Sequence, residues 1–231
     1  MLNAEDRSLE VIGFRKRGYR EAFQAQQELL ERCAASRGRD NFLMLVEHPP
    51  VITVGRSADA GEVLADASAL KARGVDVVET NRGGRVTFHG PGQLVAYPIV
   101  DLASRGRDLH RYLRDLEGWL IRLLAAYGIE AGARSPHTGV WVGDAKIASI
   151  GIAVRHWVAY HGVALNVATD LDFFRLIIPC GLRGVRMTSM AAVLGRPVEL
   201  VEVADRAVEM FRQDFGFTVP QSQRAGRAPA I

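Results

Sequence analysis

The chain has 231 residues, of which 48% are hydrophobic and 24% are charged, and its formal net charge is +3 at pH 7. These values are ordinary for a globular protein. No apolar run approaches the roughly 18 residues of a membrane span, and the acidic start of the chain is unlike a secretory signal. Two cysteines form neither a disulfide framework nor a zinc spacing. We therefore expect a cytoplasmic protein that binds no membrane, metal or cofactor. The weak positive charge, without a basic stripe, also argues against a nucleic-acid partner.

In the first half of the chain, apolar spacing predicts two helices and several strands. The strands are predicted over residues 9–14, 42–47, 51–54, 75–79 and 94–102, and the helices over 19–36 and 66–73. Cys33 falls on the apolar face of the first helix, so we interpret it as a buried core residue.

The second half opens with the clearest helix, residues 108–127, whose leucines recur at three- and four-residue spacing. Strands follow at 139–142, 145–154 and 158–167, then a helical turn at 170–177 and helices at 188–193, with Thr188 as N-cap, and at 201–215. Strands in runs indicate a single α+β domain with a mixed, mostly antiparallel sheet and packed helices. We place this domain at residues 1–220, and expect 221–231 to be a flexible tail.

The stretch from Arg82 to Gln93 contains four glycines, one proline, two arginines and a histidine between two apolar runs. Glycines allow the backbone to approach a ligand closely, and Pro91-Gly92 suits a type II turn. A hairpin with an elaborate connection is the alternative. Thr87, His89 and Gln93 bring polar side chains to the same place, which favours a binding loop.

Cys180 lies between Pro179 and Gly181, a setting typical of a turn. The local sequence leaves two readings equally open: a buried small residue, or a nucleophile. A nucleophilic thiolate needs a cationic or basic partner, and lysines are scarce, with Lys16, Lys71 and Lys146 against 26 arginines. Lys146 begins an apolar strand. It either extends to water or is desolvated as a proton carrier.

Three motifs resemble one known family. They are Arg-Gly-Gly followed by Thr-Phe-His-Gly-Pro-Gly-Gln within residues 82–93, Lys-Ile-Ala-Ser-Ile-Gly at 146–151, and Pro-Cys-Gly-Leu at 179–182. In order and spacing they resemble the octanoyl-[acyl-carrier-protein]:protein N-octanoyltransferases of lipoate biosynthesis. The resemblance implies an α/β domain like the biotin and lipoate protein ligases. It also implies octanoyl transfer from acyl carrier protein to a lysine of the lipoyl domains of 2-oxoacid dehydrogenase complexes and of the glycine cleavage H protein.

The same resemblance assigns roles to residues. Cys180 corresponds to the nucleophile that carries the acyl group as a thioester, and Lys146 to the residue that favours its thiolate and acts as acid and base. Three segments correspond to the family's substrate-binding residues: Arg82, Gly83, Gly84, Arg85, Val86, Thr87, Phe88 and His89; Ser149, Ile150 and Gly151; and Gly162, Val163 and Ala164.

Some assignments stay open at this point. We expect four glycines, at positions 83, 84, 151 and 162, to leave room for an acyl chain, and Arg82 either to bind substrate or to pair with a carboxylate. His89 is expected to orient the loop rather than to transfer protons. Alternatives to the transferase are an ATP-dependent lipoate or biotin ligase of the same fold, a cysteine thioesterase, and a non-catalytic module that binds an acyl carrier.

Overall fold

A computed structural model describes residues 7–219. In chain order the elements are β1 (Ser8–Lys16), α1 (Tyr19–Ala35), β2 (Asp40–Glu47), β3 (Val51–Val54), α2 (Ala67–Ala72), β4 (Asp76–Glu79), β5 (Val86–His89), β6 (Gln93–Asp101), α3 (Leu109–Ala125), β7 (Gly132–Arg134), β8 (His137–Val142), β9 (Ala145–Arg155), β10 (Val158–Asn166), β11 (Arg186–Met187), α4 (Met190–Leu194) and α5 (Leu200–Phe215). Short 3₁₀ turns span Ala103–Arg105, Leu171–Leu176 and Pro179–Gly181. None of the helices within residues 7–219 is long and apolar enough to cross a membrane.

The larger sheet has eight strands, in the order β1-β2-β6-β10-β9-β8-β7, with the short β11 beside β9. The β1–β2 and β9–β11 pairs are parallel, whereas the pairs along β2, β6, β10, β9, β8 and β7 are antiparallel. The prediction of a mixed, mostly antiparallel sheet is therefore confirmed.

Both faces of this sheet are covered by helices, which explains why its central strands β6 and β10 are buried throughout. Along β2, Phe42 and Met44 pack with α1, whereas Leu43 and Leu45 pack in the cluster that includes α3 and α5. The alternation follows from successive side chains of a strand pointing to opposite faces. Cys33 is fully buried on the α1 side, as predicted.

A second, smaller sheet was not predicted. Its strands run in the order β4-β3-β5, with β3 parallel to β4 and antiparallel to β5. Because β5 is Val86–His89, the prediction of one continuous loop from Arg82 to Gln93 is wrong over these four residues. The strand is short and has glycines on both sides, so its alternation is too brief to stand out from the loop signal.

Other local predictions fare differently. Gly92 has φ of 77°, and the Gln93 N–H donates to the Gly90 carbonyl at 3.2 Å, so Pro91-Gly92 forms the predicted type II turn. Thr188 is not the N-cap of α4. Ser189 is, because its Oγ accepts from the Ala192 N–H at 3.2 Å. The predicted tail at 221–231, and with it the domain boundary at 220, lies outside the described residues.

Candidate active site

The three motifs converge on one cavity of about 390 Å³. Its wall is formed by the residues after β4, by parts of β5, β6, β8, β9 and β10, by the starts of α1 and α3, and by the turn around Cys180. Every residue that the resemblance assigned to the site lines this cavity except Val86 and Phe88. Segments about a hundred positions apart in the chain thus form one continuous surface.

Strand alternation explains these two exceptions. Thr87 and His89 point from β5 into the cavity, whereas Val86 and Phe88 point to the other side of the small sheet. There Phe88 stacks on Phe173, with ring centroids 4.7 Å apart. Val86 and Phe88 are therefore core residues of the small sheet, and do not contact the cavity.

Cys180 occupies a constrained position at the cavity edge. It lies in the Pro179–Gly181 turn with φ of 55°, a left-handed conformation that is uncommon for residues other than glycine. Its side chain is only partly exposed, and its Sγ lies 3.2 Å from Lys146 Nζ and 3.9 Å from Ser149 Oγ. The strained backbone thus presents the sulfur to Lys146, the lysine that lines the cavity.

Lys146 does not extend to water. It is 2% exposed, and its Nζ donates to the Thr138 carbonyl at 3.0 Å as well as to Cys180 Sγ. The ammonium also lies 5.6 Å from the centroid of the Trp141 ring. A buried cation of this kind is stabilised by its hydrogen bonds and its aromatic neighbour rather than by solvent.

The space that Lys146 occupies depends on Gly139, which the motifs did not identify. Gly139 has φ of 133°, and a Cβ there would lie 2.6 Å from Lys146 Cε and 2.6 Å from the Ala148 carbonyl oxygen. The Thr138 carbonyl that binds Lys146 belongs to the same peptide group as the Gly139 N–H. A glycine at the start of a predicted strand was the available signal, because glycines in strands often mark close backbone approach.

The glycines of the wall serve mainly to let backbone segments approach one another. The Gly83 N–H donates to the Ile152 carbonyl at 2.8 Å, and a Cβ on Gly151 would lie 2.9 Å from the Gly83 carbonyl oxygen. A Cβ on Gly162 would lie 2.2 Å from the Ala96 carbonyl oxygen. Although these glycines border the cavity, the expectation that their missing side chains leave room for an acyl chain is wrong for Gly151 and Gly162. Backbone fills that room.

Arg82 is buried and pairs with no carboxylate among the described residues, which contradicts one of the two roles expected for it. Its guanidinium donates to the Thr53 carbonyl at 2.7 Å and to Thr53 Oγ1 at 2.8 and 3.2 Å. Burial lowers the pKa of Arg82 from its ordinary value. Because Thr53 belongs to β3, these bonds tie the glycine-rich wall to the small sheet.

Arg85 connects the glycine-rich wall to the turn that contains Cys180. It forms ion pairs with Asp59 and with the buried Glu62. A Cβ on Gly181 would lie 2.3 Å from Arg85 Nε, so the arginine packs directly against the turn that carries Cys180.

His89 is a neutral member of a buried hydrogen-bond chain. Its Nδ1 lies 2.8 Å from Gln93 Oε1, and its Nε2 lies 3.4 Å from Thr53 Oγ1. Because Gln93 uses its amide nitrogen to donate to Asn166 Oδ1 at 2.8 Å, its oxygen must accept, so His89 carries its proton on Nδ1. Burial is the main cause that lowers the pKa of His89 to about 3. These contacts agree with an orienting role and give the ring little basicity.

The remaining lining is largely apolar. Beside Ile150 and Val163 of the predicted segments, the cavity is bordered by further apolar side chains from β6, β9, α3 and the turn after Cys180: Val95, Tyr97, Ile152, Leu109, Leu113 and Leu182. An apolar slot that ends at a thiol beside an ammonium suits an acyl thioester, whose chain is apolar and whose carbonyl becomes an anion on attack.

Comparison with known proteins identifies the family of the chain. The model of the lipoyl protein ligase A/B catalytic domain matches residues 18–212. An octanoyltransferase of Geobacter metallireducens is 51% identical over 183 residues, which are 79% of this chain and 83% of the relative. An octanoyltransferase of Syntrophotalea carbinolica is 44% identical over 90% of this chain and 94% of its own length.

Solved structures show the same fold at low sequence identity. A lipoate-protein ligase A bound with ATP superposes with a TM-score of 0.71 at 17% identity, over 93% of this chain and 87% of its own. A bi-partite lipoate protein ligase of Thermoplasma acidophilum gives a TM-score of 0.64 at 18% identity, over 94% of this chain and 86% of its own. The chain therefore belongs to the lipoyl protein ligase A/B catalytic-domain family and, within it, to the octanoyltransferases.

Proposed function

We propose that this octanoyltransferase takes an octanoyl group from acyl carrier protein onto Cys180 Sγ and passes it to a lysine of a lipoyl domain. The observation that carries the proposal is the 3.2 Å contact between Cys180 Sγ and Lys146 Nζ at the edge of an apolar cavity. An ammonium at that distance stabilises a thiolate, which is the reactive form of cysteine. The names of the relatives, octanoyltransferases, indicate which acyl group is transferred and the class of reaction.

In the first half-reaction, the Cys180 thiolate attacks the thioester carbonyl of the donor. The S–C bond to the donor breaks, and its thiolate takes a proton from the Lys146 ammonium. The products are an octanoyl-Cys180 thioester, a free donor thiol and a neutral Lys146. Because one thioester replaces another, the step is close to thermoneutral, and the protein contributes positioning and charge stabilisation.

In the second half-reaction, the neutral amine of the acceptor lysine attacks the octanoyl-Cys180 carbonyl. The amine proton passes to neutral Lys146, an amide bond forms, and Cys180 leaves as a thiolate. Both residues return to their starting protonation states, so Lys146 gives one proton and takes one in each cycle.

Donors for the developing oxyanion are restricted. The Gly181 N–H donates to the Ile178 carbonyl at 3.2 Å and the Leu182 N–H to the Pro179 carbonyl at 3.0 Å. The turn therefore already uses both of these N–H groups. The Cys180 N–H and the Lys146 ammonium are the remaining candidates beside the sulfur.

The apolar cavity accounts for retention of the acyl chain. Six or seven buried methylene groups, at about 0.8 kcal/mol each, contribute roughly 5 kcal/mol, which discriminates against short acyl groups. Ile150 and Val163 from the two central strands of the cavity wall would contact the chain directly.

The charges near the cavity also fit the proposed donor, acyl carrier protein. Arg183 and Arg186 are exposed next to the Cys180 turn, and neither pairs with a carboxylate among the described residues. Such a basic rim attracts an acidic carrier protein.

We propose that the reaction takes place in the cytoplasm, with lipoyl domains of 2-oxoacid dehydrogenase complexes and the glycine cleavage H protein as acceptors.

One assay separates this function from the related ones. The protein is incubated with octanoyl-carrier protein and a lipoyl domain, without ATP, and both protein products are analysed by mass spectrometry. We expect an octanoylated lipoyl domain, and we expect no transfer by Cys180→Ser. Transfer only after addition of ATP would identify a ligase. Free octanoate as the main product would identify a thioesterase, and full activity of Cys180→Ser would exclude the cysteine mechanism.

A further inference from the structure

Glu117 of α3 is a buried carboxylate next to the site that the mechanism above leaves without a role. It is 1% exposed, and its Oε1 accepts a hydrogen bond from the Gly139 N–H at 2.9 Å. Burying a carboxylate is costly unless charges or donors compensate it. Its position therefore needs an explanation beyond helix packing.

The Glu117 contact is transmitted to Lys146 through a single peptide group. The bond between Thr138 and Gly139 is trans, so its N–H and C=O point in opposite directions. Glu117 binds the N–H on one side, and on the other side the Thr138 carbonyl accepts from Lys146 Nζ at 3.0 Å. A peptide group has a dipole of about 3.5 D, and here its negative end faces the ammonium and its positive end faces the carboxylate.

We propose that Glu117 is a positioning residue that, through the Thr138–Gly139 peptide, fixes Lys146 beside Cys180 and favours the charged form of the lysine. The inference rests on the proposed function for its meaning in catalysis. The arrangement is that of a carboxylate orienting a proton carrier beside a nucleophile, with a peptide group interposed. Hydrogen bonds in such a chain polarise one another, so the charge of Glu117 acts on Lys146 without direct contact.

Arg114 reduces the effect that the charge of Glu117 has on Lys146. Its Nη1 lies 2.6 Å from Glu117 Oε2, as an ion pair whose geometry is not that of a hydrogen bond, and its side chain is half exposed. The arginine thereby offsets part of the charge of the buried carboxylate. Because it is at the surface, its own charge is well screened by solvent.

The chain offers a direct test because it contains only three lysines, Lys16, Lys71 and Lys146. With lysine labelled at Cε with ¹³C, NMR resolves three titrations in the protein without any substrate. In Glu117→Gln we expect the titration midpoint of Lys146 to fall by about one pH unit, because a nearby opposite charge favours the ammonium. The exposed Lys71 serves as the internal reference.

Glu47→Gln is a matched control. Glu47 is also buried, its Oε1 also accepts from a glycine N–H, that of Gly92 at 2.7 Å, and its Oε2 also lies near a surface cation, Lys16 at 3.7 Å. It is not connected to the Thr138–Gly139 peptide. We expect the Lys146 midpoint in this variant to equal that of the wild type.

Two further measurements test whether Glu117, rather than Arg114, acts on Lys146. Arg114→Gln removes only a half-exposed charge that solvent screens, so the Lys146 midpoint should stay within a few tenths of a unit of the wild-type value. In acyl transfer, the high-pH limb of the rate profile should move with the midpoint in Glu117→Gln.

A folded Glu117→Gln with an unchanged Lys146 midpoint would overturn the inference and leave Glu117 a purely structural brace. If Glu117→Gln does not fold, Glu117→Asp takes its place, because the shorter side chain withdraws the carboxylate from the Gly139 N–H. An unchanged Lys146 midpoint in Glu117→Asp would then overturn the inference. Because the titrations need no acyl donor, a failure of the proposed function leaves this result interpretable.

Discussion

Gly139 leaves the space that Lys146 needs to reach the sulfur of Cys180. A Cβ at this position would lie 2.6 Å from Lys146 Cε, at a φ of 133° that side chains rarely adopt. We predict that Gly139→Ala displaces Lys146 from Cys180 and lowers the rate of octanoyl transfer at least about tenfold. We also expect a loss of about 1–3 kcal/mol in the free energy of unfolding. Steady-state transfer assays and urea unfolding measure the two effects.

Gly143→Ala provides the control, in the turn of the same hairpin. Gly143 also has a positive φ, 54°, but a Cβ there would meet no atom within 4 Å. This variant should lose about 1 kcal/mol of stability and keep its transfer rate. If Gly139→Ala transferred octanoyl groups as fast as Gly143→Ala, the positioning of Lys146 would not depend on Gly139.

At the scale of single residues, the sequence predicted side chains that form motifs and missed those that support them. Cys180 and Lys146 were singled out because a cysteine between proline and glycine, and a scarce lysine in an apolar strand, are locally unusual, but only the resemblance assigned them roles. Glu117 was not found, because a glutamate on a leucine-rich helix looks like a solvated charge. Its role depends on a contact with Gly139, 22 positions away, that no periodicity reveals.

At the scale of elements, the small sheet acts as a platform for the glycine-rich wall. Arg82 joins the two through Thr53 of β3, whose hydroxyl and carbonyl accept three of its hydrogen bonds. We predict that Thr53→Val, which keeps the shape of the side chain, lowers the free energy of unfolding by about 2–3 kcal/mol. The reason is that a buried guanidinium loses an acceptor. Urea unfolding monitored by tryptophan fluorescence gives this quantity.

Thr169→Val is the comparison for that measurement. Thr169 is buried as well, and its hydroxyl donates one neutral hydrogen bond, to the Gly92 carbonyl at 3.1 Å. Its loss should cost only about 1 kcal/mol. Equal effects of the two substitutions would show that the Arg82 contact contributes nothing beyond an ordinary hydrogen bond.

The long elements followed from periodicity, whereas the two shortest strands were missed. The helix Leu109–Ala125 and the strands Ala145–Arg155 and Val158–Asn166 were predicted to within a few residues, because each has several repeats of its pattern. The strands Gly132–Arg134 and Arg186–Met187 were missed, since three and two residues contain no period. Strand pairing in the small sheet was also beyond reach, because β3, β4 and β5 are each only four residues long.

At the scale of the whole molecule, three buried histidines make stability depend on pH. Burial lowers the pKa of His48 to about 4, and the pKa of both His89 and His161 to about 3, from an ordinary value of 6.5. Between that value and the lowered ones, the unfolded chain binds protons that the folded chain does not. Stability is therefore complete above about pH 6.5 and falls as the pH is lowered.

We predict that each of these histidines removes about 2 kcal/mol from the free energy of unfolding between pH 7.5 and pH 5. Urea titrations at both pH values measure the difference. In His48→Gln the pH dependence should shrink by about that amount, whereas His110→Gln, at an exposed position, should retain all of it. An unchanged pH dependence in His48→Gln would mean that His48 is not held neutral by the fold.

Convergence of the three motifs on one cavity depends on contacts between distant segments. In the sequence, the glycine-rich stretch, the β8–β9 hairpin and the Cys180 turn are simply separate segments of one chain. The sequence could not show that Arg85 packs against Gly181, or that the Gly83 N–H pairs with β9 at Ile152. These contacts join segments that are about seventy to a hundred positions apart, and they depend on the register of a sheet that a single sequence does not specify.

The central claim is that Cys180 carries the octanoyl group, and intact mass measured after addition of octanoyl-carrier protein alone tests it most directly. Background from the other thiol is excluded, because burial raises the pKa of Cys33 to about 12 and the residue is inaccessible. We predict one octanoyl adduct that maps to the peptide containing Cys180 and is absent from Cys180→Ser. An enzyme that transfers octanoyl groups without any such adduct, or with the adduct on another residue, would contradict the account.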